Sequence, residues 1–339
     1  MKNTKQINTA NLLYNLKICK KKFNNLCVMV KANAYGHNAR IIVNSLKDEI
    51  NNFGVATAKE AVTLRKIFKS IDIFVSSKTN DYALLIKHNI SFCIDSIDEL
   101  KIINKIATKL NKCALVHIKV NTGMNRLGVR HIDEFLAIMD FIKHSKFINL
   151  VGVYTHTFDS DNKNTHFYQQ MEIFYKFVNH IDDKSILIHI GGSYVLNHKL
   201  PKFVNMVRVG LFIYGYGKSS LKPVMSINSK IAKIFKCYAG DYVGYGNSTQ
   251  LKKDSLIAVI PIGYADGVMR ILSNNHQLTI NNQKCNIVGN ICMDMLMVDV
   301  TNIKCKVGDV VIVMNNAQNI AKKLNTSVYE VLTRFNLLR

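Results

Sequence analysis

The sequence predicts an α/β protein, a parallel (β/α)8 TIM barrel followed by a C-terminal antiparallel β domain. Three observations carry that reading. Eight short apolar runs recur with helix-like segments between them. After Gly217 the texture changes to strands that follow one another directly. Polar or glycine residues stand at the ends of several of the eight runs, where a core would accept neither.

The eight runs are Leu26–Val30, Phe53–Thr57, Ile71–Ser76, Ser91–Ile94, Ala114–Val120, Leu150–Thr155, Ile186–Ile190 and Val207–Tyr214. Such continuous apolar runs suit strands covered on both faces. Helix patterns fall at Ala39–Glu49, Ala58–Phe68, Tyr82–Lys87, Ile97–Leu110, Ile132–His144 and Asn164–Ile181, with a shorter polar stretch at Tyr194–Phe203. The N-terminal segment reads as an amphipathic helix with Leu12, Leu16 and Cys19 on one face. The expected domains are 1–217 and 218–339. In the second, strands are expected at Val224–Phe235, Tyr242–Tyr245, Leu256–Ile262, Gln277–Ile280, Cys285–Val288, Leu296–Val300 and Val310–Val313, with a closing helix Ser327–Leu337 capped by Ser327.

Composition limits the function classes. The 339 residues are 48% hydrophobic, enough for two cores. No apolar run approaches the ~20 residues that span a bilayer, and the N-terminus lacks the apolar segment of a signal peptide. None of the eight cysteines forms a CxxC, and Cys27, Cys93 and Cys292 lie inside apolar runs. That is the pattern of buried thiols in a reducing compartment, with no metal site and a cytoplasmic location expected. The net charge of +22 is spread along the chain rather than gathered on one helix. It reads as solvated surface lysine, which favours anionic ligands over a nucleic-acid partner.

Candidate chemistry begins at VMVKANAYGH, Val28–His37. Lys31 ends an apolar run, and the chain then turns small and polar. Burial disfavours the ammonium form, which is what a nucleophilic, carbonyl-condensing amine needs; the bland alternative is a lysine that snorkels to solvent. The other strand ends offer Asn121–Arg126, Thr155-His156, Gly191-Gly192-Ser193, and Arg208 with Gly210. Barrels commonly hold phosphate at the loops after the seventh and eighth strands, where glycine lets backbone N–H groups approach an anion.

These motifs carry a resemblance. VMVKANAYGH resembles the cofactor-lysine motif of the alanine racemase family, departing only at Asn38, where the family usually has a second glycine. TGMNRLG at Thr122–Gly128, HIGGS at His189–Ser193, VRVG at Val207–Gly210, PIGYADG at Pro261–Gly267, NICMDMLMVDV at Asn290–Val300 and VYEVL at Val328–Leu332 follow in family order over nearly the whole chain.

The resemblance implies pyridoxal 5'-phosphate bound covalently at Lys31, and interconversion of L- and D-alanine by two bases, Lys31 and Tyr264. It implies phosphate contacts from Tyr35, Ser193, Gly210 and Tyr329. It places Arg208 at the pyridine nitrogen, with His156 hydrogen-bonded to that arginine. Arg126, Met293 and Asp294 are implied near the substrate, and Lys119 matches a lysine carbamylated in some members. A homodimer with shared sites and a supply of D-alanine for peptidoglycan follow from the same likeness. Gly192, Asn121 and Val268-Met269 depart from the usual family residues; Asn121 bears on the local polar network and Val268-Met269 on the entrance to the site. Alternatives are a racemase of another small amino acid such as serine, a fold-related decarboxylase, and a non-catalytic barrel that only binds the cofactor. Arg208 argues against the decarboxylase, whose ring partner is acidic, and Tyr264 against the binding protein.

Overall fold

The computed structural model describes residues 3–160 and 166–338. The first residues of the expected helix Asn164–Ile181 lie outside them. The chain divides into two compact units. One holds Leu12–Ala34 and Asn38–Lys222; the other holds the segment ending at Asn11, Tyr35–His37 and Pro223–Arg339.

The first unit is a closed barrel of eight parallel strands: β2 (Leu26–Met29), β3 (Asn52–Val55), β4 (Asp72–Val75), β5 (Ser91–Ile94), β6 (Ala114–Lys119), β7 (Ile148–His156), β8 (Leu187–Gly191) and β9 (Met206–Val209). Each expected run supplies one strand. β9 pairs with β2, Cys27 opposite Arg208, and closes the ring. β2, β5 and β9 are buried at every position, so period-2 alternation is absent. Each buried Val, Leu or Ile contributes about 1.5–3 kcal/mol of transfer free energy. Helices between the strands start at caps the sequence supplies. Thr57 and Glu60 form a capping box at Ala58–Ile67, and Ser96 accepts from the Glu99 N–H at Ile97–Leu110. The latter helix ends on Asn111 in the left-handed region, φ 48°.

Glycines make room inside this barrel. A Cβ on Gly152 would stand 2.5 Å from His117 Nδ1, and one on Gly191 would collide with the Arg208 guanidinium and His156 Nδ1. Two glycines in strands thus give space to three large polar side chains, His117, Arg208 and His156.

The second unit has a five-stranded sheet, β1 (Thr4–Ile7), β10 (Met225–Lys230), β16 (Val310–Met314), β13 (Gln277–Ile280) and β14 (Gln283–Asn286) in spatial order. A three-stranded sheet holds β11 (Lys233–Cys237), β12 (Ser255–Ile260) and β15 (Leu296–Asp299). All the pairings are antiparallel. Val243, Leu251, Ile257 and Met297 form one of its core clusters.

Four expectations change here. The N-terminal segment opens with β1, which pairs with β10, before the helix Thr9–Lys20; Leu12, Leu16 and Cys19 are buried as expected. Val224–Phe235 is two strands in two sheets. The Ile231 N–H bonds to the Asp309 carbonyl and the Ala232 N–H to that of Val259, so the chain changes partner between adjacent residues. Tyr242–Tyr245 makes a single bridge, Tyr242 to Gln250, because Gly244 (φ 74°) turns the backbone into a short 3-10 turn, Tyr245–Asn247. A helix absent from the sequence reading, Ala317–Leu324, starts where the Asn316 side chain accepts from the Gln318 N–H. The closing helix is Val328–Arg334, capped by Ser327 as expected.

Candidate active site

Lys31 follows β2 and is half-buried. Burial lowers its proton affinity, and the positive charges of Arg126 and Arg208 lower it further; Glu60 opposes them. The four residues after it, Ala32, Asn33, Ala34 and Tyr35, all have left-handed φ values of 50°, 53°, 56° and 52°. Such a turn costs roughly 4–8 kcal/mol in total at 1–2 kcal/mol per residue, less what asparagine is spared. It is held by specific bonds. The Ala34 N–H donates to the Val30 carbonyl (2.8 Å), the Ala39 N–H to Asn33 Oδ1 (2.8 Å) and the Ala32 N–H to Glu60 Oε1 (2.6 Å). Gly36 (φ 82°) ends the turn, where a Cβ would stand 2.5 Å from the Leu332 carbonyl oxygen.

A buried polar chain runs through the barrel interior. Arg208 Nη1 lies 2.7 Å from His189 Nδ1, His189 Nε2 lies 2.9 Å from His117 Nδ1, and His117 Nε2 lies 3.2 Å from Ser91 Oγ. The guanidinium only donates, so His189 accepts at Nδ1 and carries its proton on Nε2. His117 then accepts at Nδ1 and donates from Nε2 to Ser91, whose hydroxyl donates to the Ile73 carbonyl (3.1 Å). Both imidazoles are neutral. Burial and then Arg208 push His117 down to about 3 and His189 well below its ordinary value. Burial lowers Arg208 to about 10, so the guanidinium stays charged near neutral pH. Its other Nη donates to the Thr155 carbonyl (2.6 Å), and it lies 4.6 Å over the Tyr154 ring.

His156 ends β7. Parallel register sets it opposite Gly191, itself opposite Arg208. The expected hydrogen bond between His156 and Arg208 is absent among the described residues. His189 occupies that place because its Nδ1 points at the guanidinium. Burial first, and then the charges of Arg208, Arg126 and Lys31, lower His156 to about 3.

Ser193 is buried after β8. Its Oγ accepts the N–H groups of Gly210 (3.0 Å) and Phe212 (3.2 Å), which leaves its own proton to donate. Arg126 sits exposed in the loop after β6. That loop is tied down at Gly128, whose N–H donates to Asp95 Oδ2 (3.0 Å), and at Thr122, bonded to Thr155 (2.8 Å) and Gln170 (2.8 Å). Lys119 is buried at the end of β6, and burial lowers it to about 8. The barrel unit therefore gathers Lys31, Lys119, Arg126, Arg208, His156, Ser193 and Gly210 at its strand ends.

The second unit carries the rest. Tyr264 opens the 3-10 turn Tyr264–Asp266. The Tyr264 N–H donates to the Cys292 carbonyl and the Ala265 N–H to that of Met293, both at 3.1 Å, so Tyr264, Met293 and Asp294 are held together. Gly263 permits this approach, since a Cβ there would collide with the Cys292 and Met293 carbonyls. The side chains of Tyr264 and Met293 are 41% and 52% exposed, and Asp294 is exposed too. Tyr35 and Tyr329 meet in this unit with ring centroids 5.4 Å apart. Glu60, His117 and the bond from Arg208 to His189 are contacts at the site that the motif reading passed over. The Thr57-x-x-Glu60 capping signature and the His189 of HIGGS were the available signals.

Residues 7–218 match the family profile "Alanine racemase, N-terminal domain" and residues 224–337 match "Alanine racemase, C-terminal domain". The chain is 35% identical over 347 residues to an alanine racemase of Borreliella burgdorferi (strain ZS7), covering 96% of this chain and 93% of that protein. It is 32% identical over 358 residues to one of Helicobacter pylori (strain Shi470), covering 97% and 95%. The crystal structure of alanine racemase from E. faecalis is similar with a TM-score of 0.93 at 28% identity, over 99% of this chain and 96% of that one.

Proposed function

The chain belongs to the alanine racemase family, and from that premise we propose that it interconverts L- and D-alanine with pyridoxal 5'-phosphate. The observation that carries this reading is Lys31, an amine of lowered proton affinity set at a barrel strand end beside two guanidinium charges. The donor set suits an anionic, carbonyl-bearing cofactor. Lys31 is a nucleophilic amine, the Ser193 hydroxyl and the glycine-rich backbone at 191–193 and 210 suit a phosphate, and Lys119, Arg126 and Arg208 supply positive charge. Held at this site, the cofactor would supply an electron-withdrawing ring that acidifies the Cα–H bond of a substrate whose amine has displaced Lys31, leaving the lysine amine free to act as a base.

The residues of this chain do the rest. Ser193, Gly210, Tyr35 and Tyr329 hold the phosphate. Arg126 binds the substrate carboxylate, with Met293 and Asp294 beside it. Arg208 keeps a permanently charged donor at the pyridine nitrogen, which therefore stays unprotonated and leaves the ring a weak electron sink. Side reactions that need a long-lived carbanion are suppressed. Inverting a stereocentre by proton removal and return requires a base on each face, so the Lys31 amine serves one face of Cα and the Tyr264 phenol the other. The product serves cell-wall peptidoglycan, and eight free thiols suit a reducing compartment such as the cytoplasm.

The protein works as a homodimer with shared sites, each using Lys31 of one chain and Tyr264 of its partner. Support comes from the second unit, where Tyr245, Ile271, Met293 and Met295 stand exposed with Tyr264. Two experiments test these statements. Borohydride reduction of the purified protein followed by peptide mass analysis is expected to label Lys31; a label on another lysine overturns the assignment. Mixing Lys31→Ala with Tyr264→Phe under subunit exchange is expected to restore roughly a quarter of wild-type activity, since about half the dimers are mixed and each has one intact site. No recovery despite exchange places both bases in one chain. A chiral assay over a panel of L-amino acids fixes the substrate.

A further inference from the structure

The Glu60 carboxylate collects more than its own helix needs. A capping box requires one acceptor for one N–H. Here Oε2 accepts from Thr57 N–H (3.1 Å) and Ala56 N–H (3.0 Å), while Oε1 accepts from Ala32 N–H (2.6 Å), the first amide of the left-handed turn. The shortest of the three bonds is thus the one made outside the helix cap. An N–H to carboxylate bond is charge-assisted and among the stronger kinds.

We propose that Glu60 is a positioning residue for Lys31: its carboxylate fastens the left-handed turn at its first peptide and fixes where the lysine amine stands. The turn needs such a fastening, because four successive residues hold a backbone conformation that L-residues adopt as single residues, not as runs. Without it Ala32 and the residues after it relax toward ordinary backbone angles, and the lysine that precedes them shifts with the turn. Glu60 is also the acidic group that acts on the Lys31 amine, opposing the two arginines. One carboxylate therefore sets both the place of the amine and part of its electrostatic surroundings.

The inference rests on Lys31 being the cofactor lysine, but its first readout does not. Hydrogen exchange of the peptide covering residues 30–37, measured on the full-length protein, reports the fastening directly. Glu60→Ala is expected to speed exchange there by roughly tenfold or more, the scale of losing a hydrogen bond to a charged group. Thr57→Ala removes the helix cap but keeps the carboxylate, and is expected to leave that peptide protected. Glu60→Gln keeps one acceptor oxygen, which can serve Ala32 or the Ala56 and Thr57 pair but not both, and is expected to fall between. It decides the matter if Glu60→Ala fails to fold. In steady state, Glu60→Ala is expected to lower kcat by roughly tenfold with KM for alanine changed less than about twofold, and Glu60→Gln to recover part of kcat. Equal exchange in Glu60→Ala and Thr57→Ala, or unchanged exchange with Glu60 replaced, overturns the proposal and leaves an ordinary cap. A borohydride label elsewhere than Lys31 overturns the functional reading instead, and leaves the exchange result standing.

Discussion

The two units handle functional side chains in opposite ways. In the barrel, Arg208 is buried and fixed by His189, the Thr155 carbonyl and the Tyr154 face, and its orientation is complete without any ligand. In the second unit the backbone under Tyr264 is fixed by two hydrogen bonds and a tight glycine, yet the phenol itself stands 41% exposed. A preorganised charge gains from burial, because low-dielectric surroundings strengthen its field. Tyr264 has a rigid base and an open side chain, so its backbone is fixed while its phenol is not enclosed. A group enclosed by its own strands thus stands against one that is only anchored.

The sharpest way to break this contrast is Lys31→Ala. Activity is expected to fall by more than about a thousandfold in both directions, since in the proposed function the amine is both cofactor anchor and base. A chiral assay checks it. Tyr264→Phe is expected to cost about a hundred- to ten-thousandfold in racemisation, the range of a general base. One enantiomer of alanine should still exchange its Cα hydrogen with deuterated water while the other does not. Symmetric exchange by both would show that the phenol serves no face of its own.

Arg208→Glu probes the buried side of the contrast. It is expected to lower racemisation by about tenfold or more and to raise pyruvate formation, because an acid keeps the pyridine nitrogen protonated. Absence of pyruvate would remove the arginine from that role. The smallest effect is on stability. His117, His156 and His189 have lowered proton affinities in the folded barrel, mainly from burial. The unfolded chain protonates them near pH 6.5, so it binds more protons than the native state below that pH. Stability held above pH 6.5 is therefore lost as pH falls toward about 3, where folded His117 and His156 protonate. In the second unit His276 has a proton affinity lowered first by burial and then by Lys323. Hydrogen exchange at about pH 5 is expected to show the barrel strands loosening before the sheets of the second unit, and His117→Gln to reduce the difference.

The barrel was the most legible part of the chain. Runs such as Leu26–Val30 and Val207–Tyr214 have few polar residues to confuse their period, and burial on both faces makes that pattern unambiguous. The second unit was less so, because Ile231 and Ala232 change sheets without any Gly or Pro to mark the place. The helix Ala317–Leu324 is short, and its asparagine cap sits among asparagines common throughout the sequence. At the site, strand-end residues were legible because polar groups contrast with apolar strands. The left-handed turn was not, since alanine and tyrosine carry no preference for positive φ and only Asn33 and Gly36 hint at it. The histidine pair was hidden for a different reason. His117 and His189 are far apart in sequence, and only closure of the barrel brings their rings within 2.9 Å.

Strand β1 has a consequence for synthesis. Its partner is β10, and Asn3 bonds to Ser229, 226 residues further along the chain. At typical translation rates of 5–20 residues per second, about 10 to 45 seconds pass before that partner leaves the ribosome. Throughout that interval the barrel strands emerge in order, while the first strand has no edge to join. Its alternating, half-exposed pattern, with Lys5 and Gln6 among four residues, keeps a waiting edge from being strongly adhesive. A strand made before the barrel is thus placed only after it, and the nascent barrel grows while β1 waits for its partner.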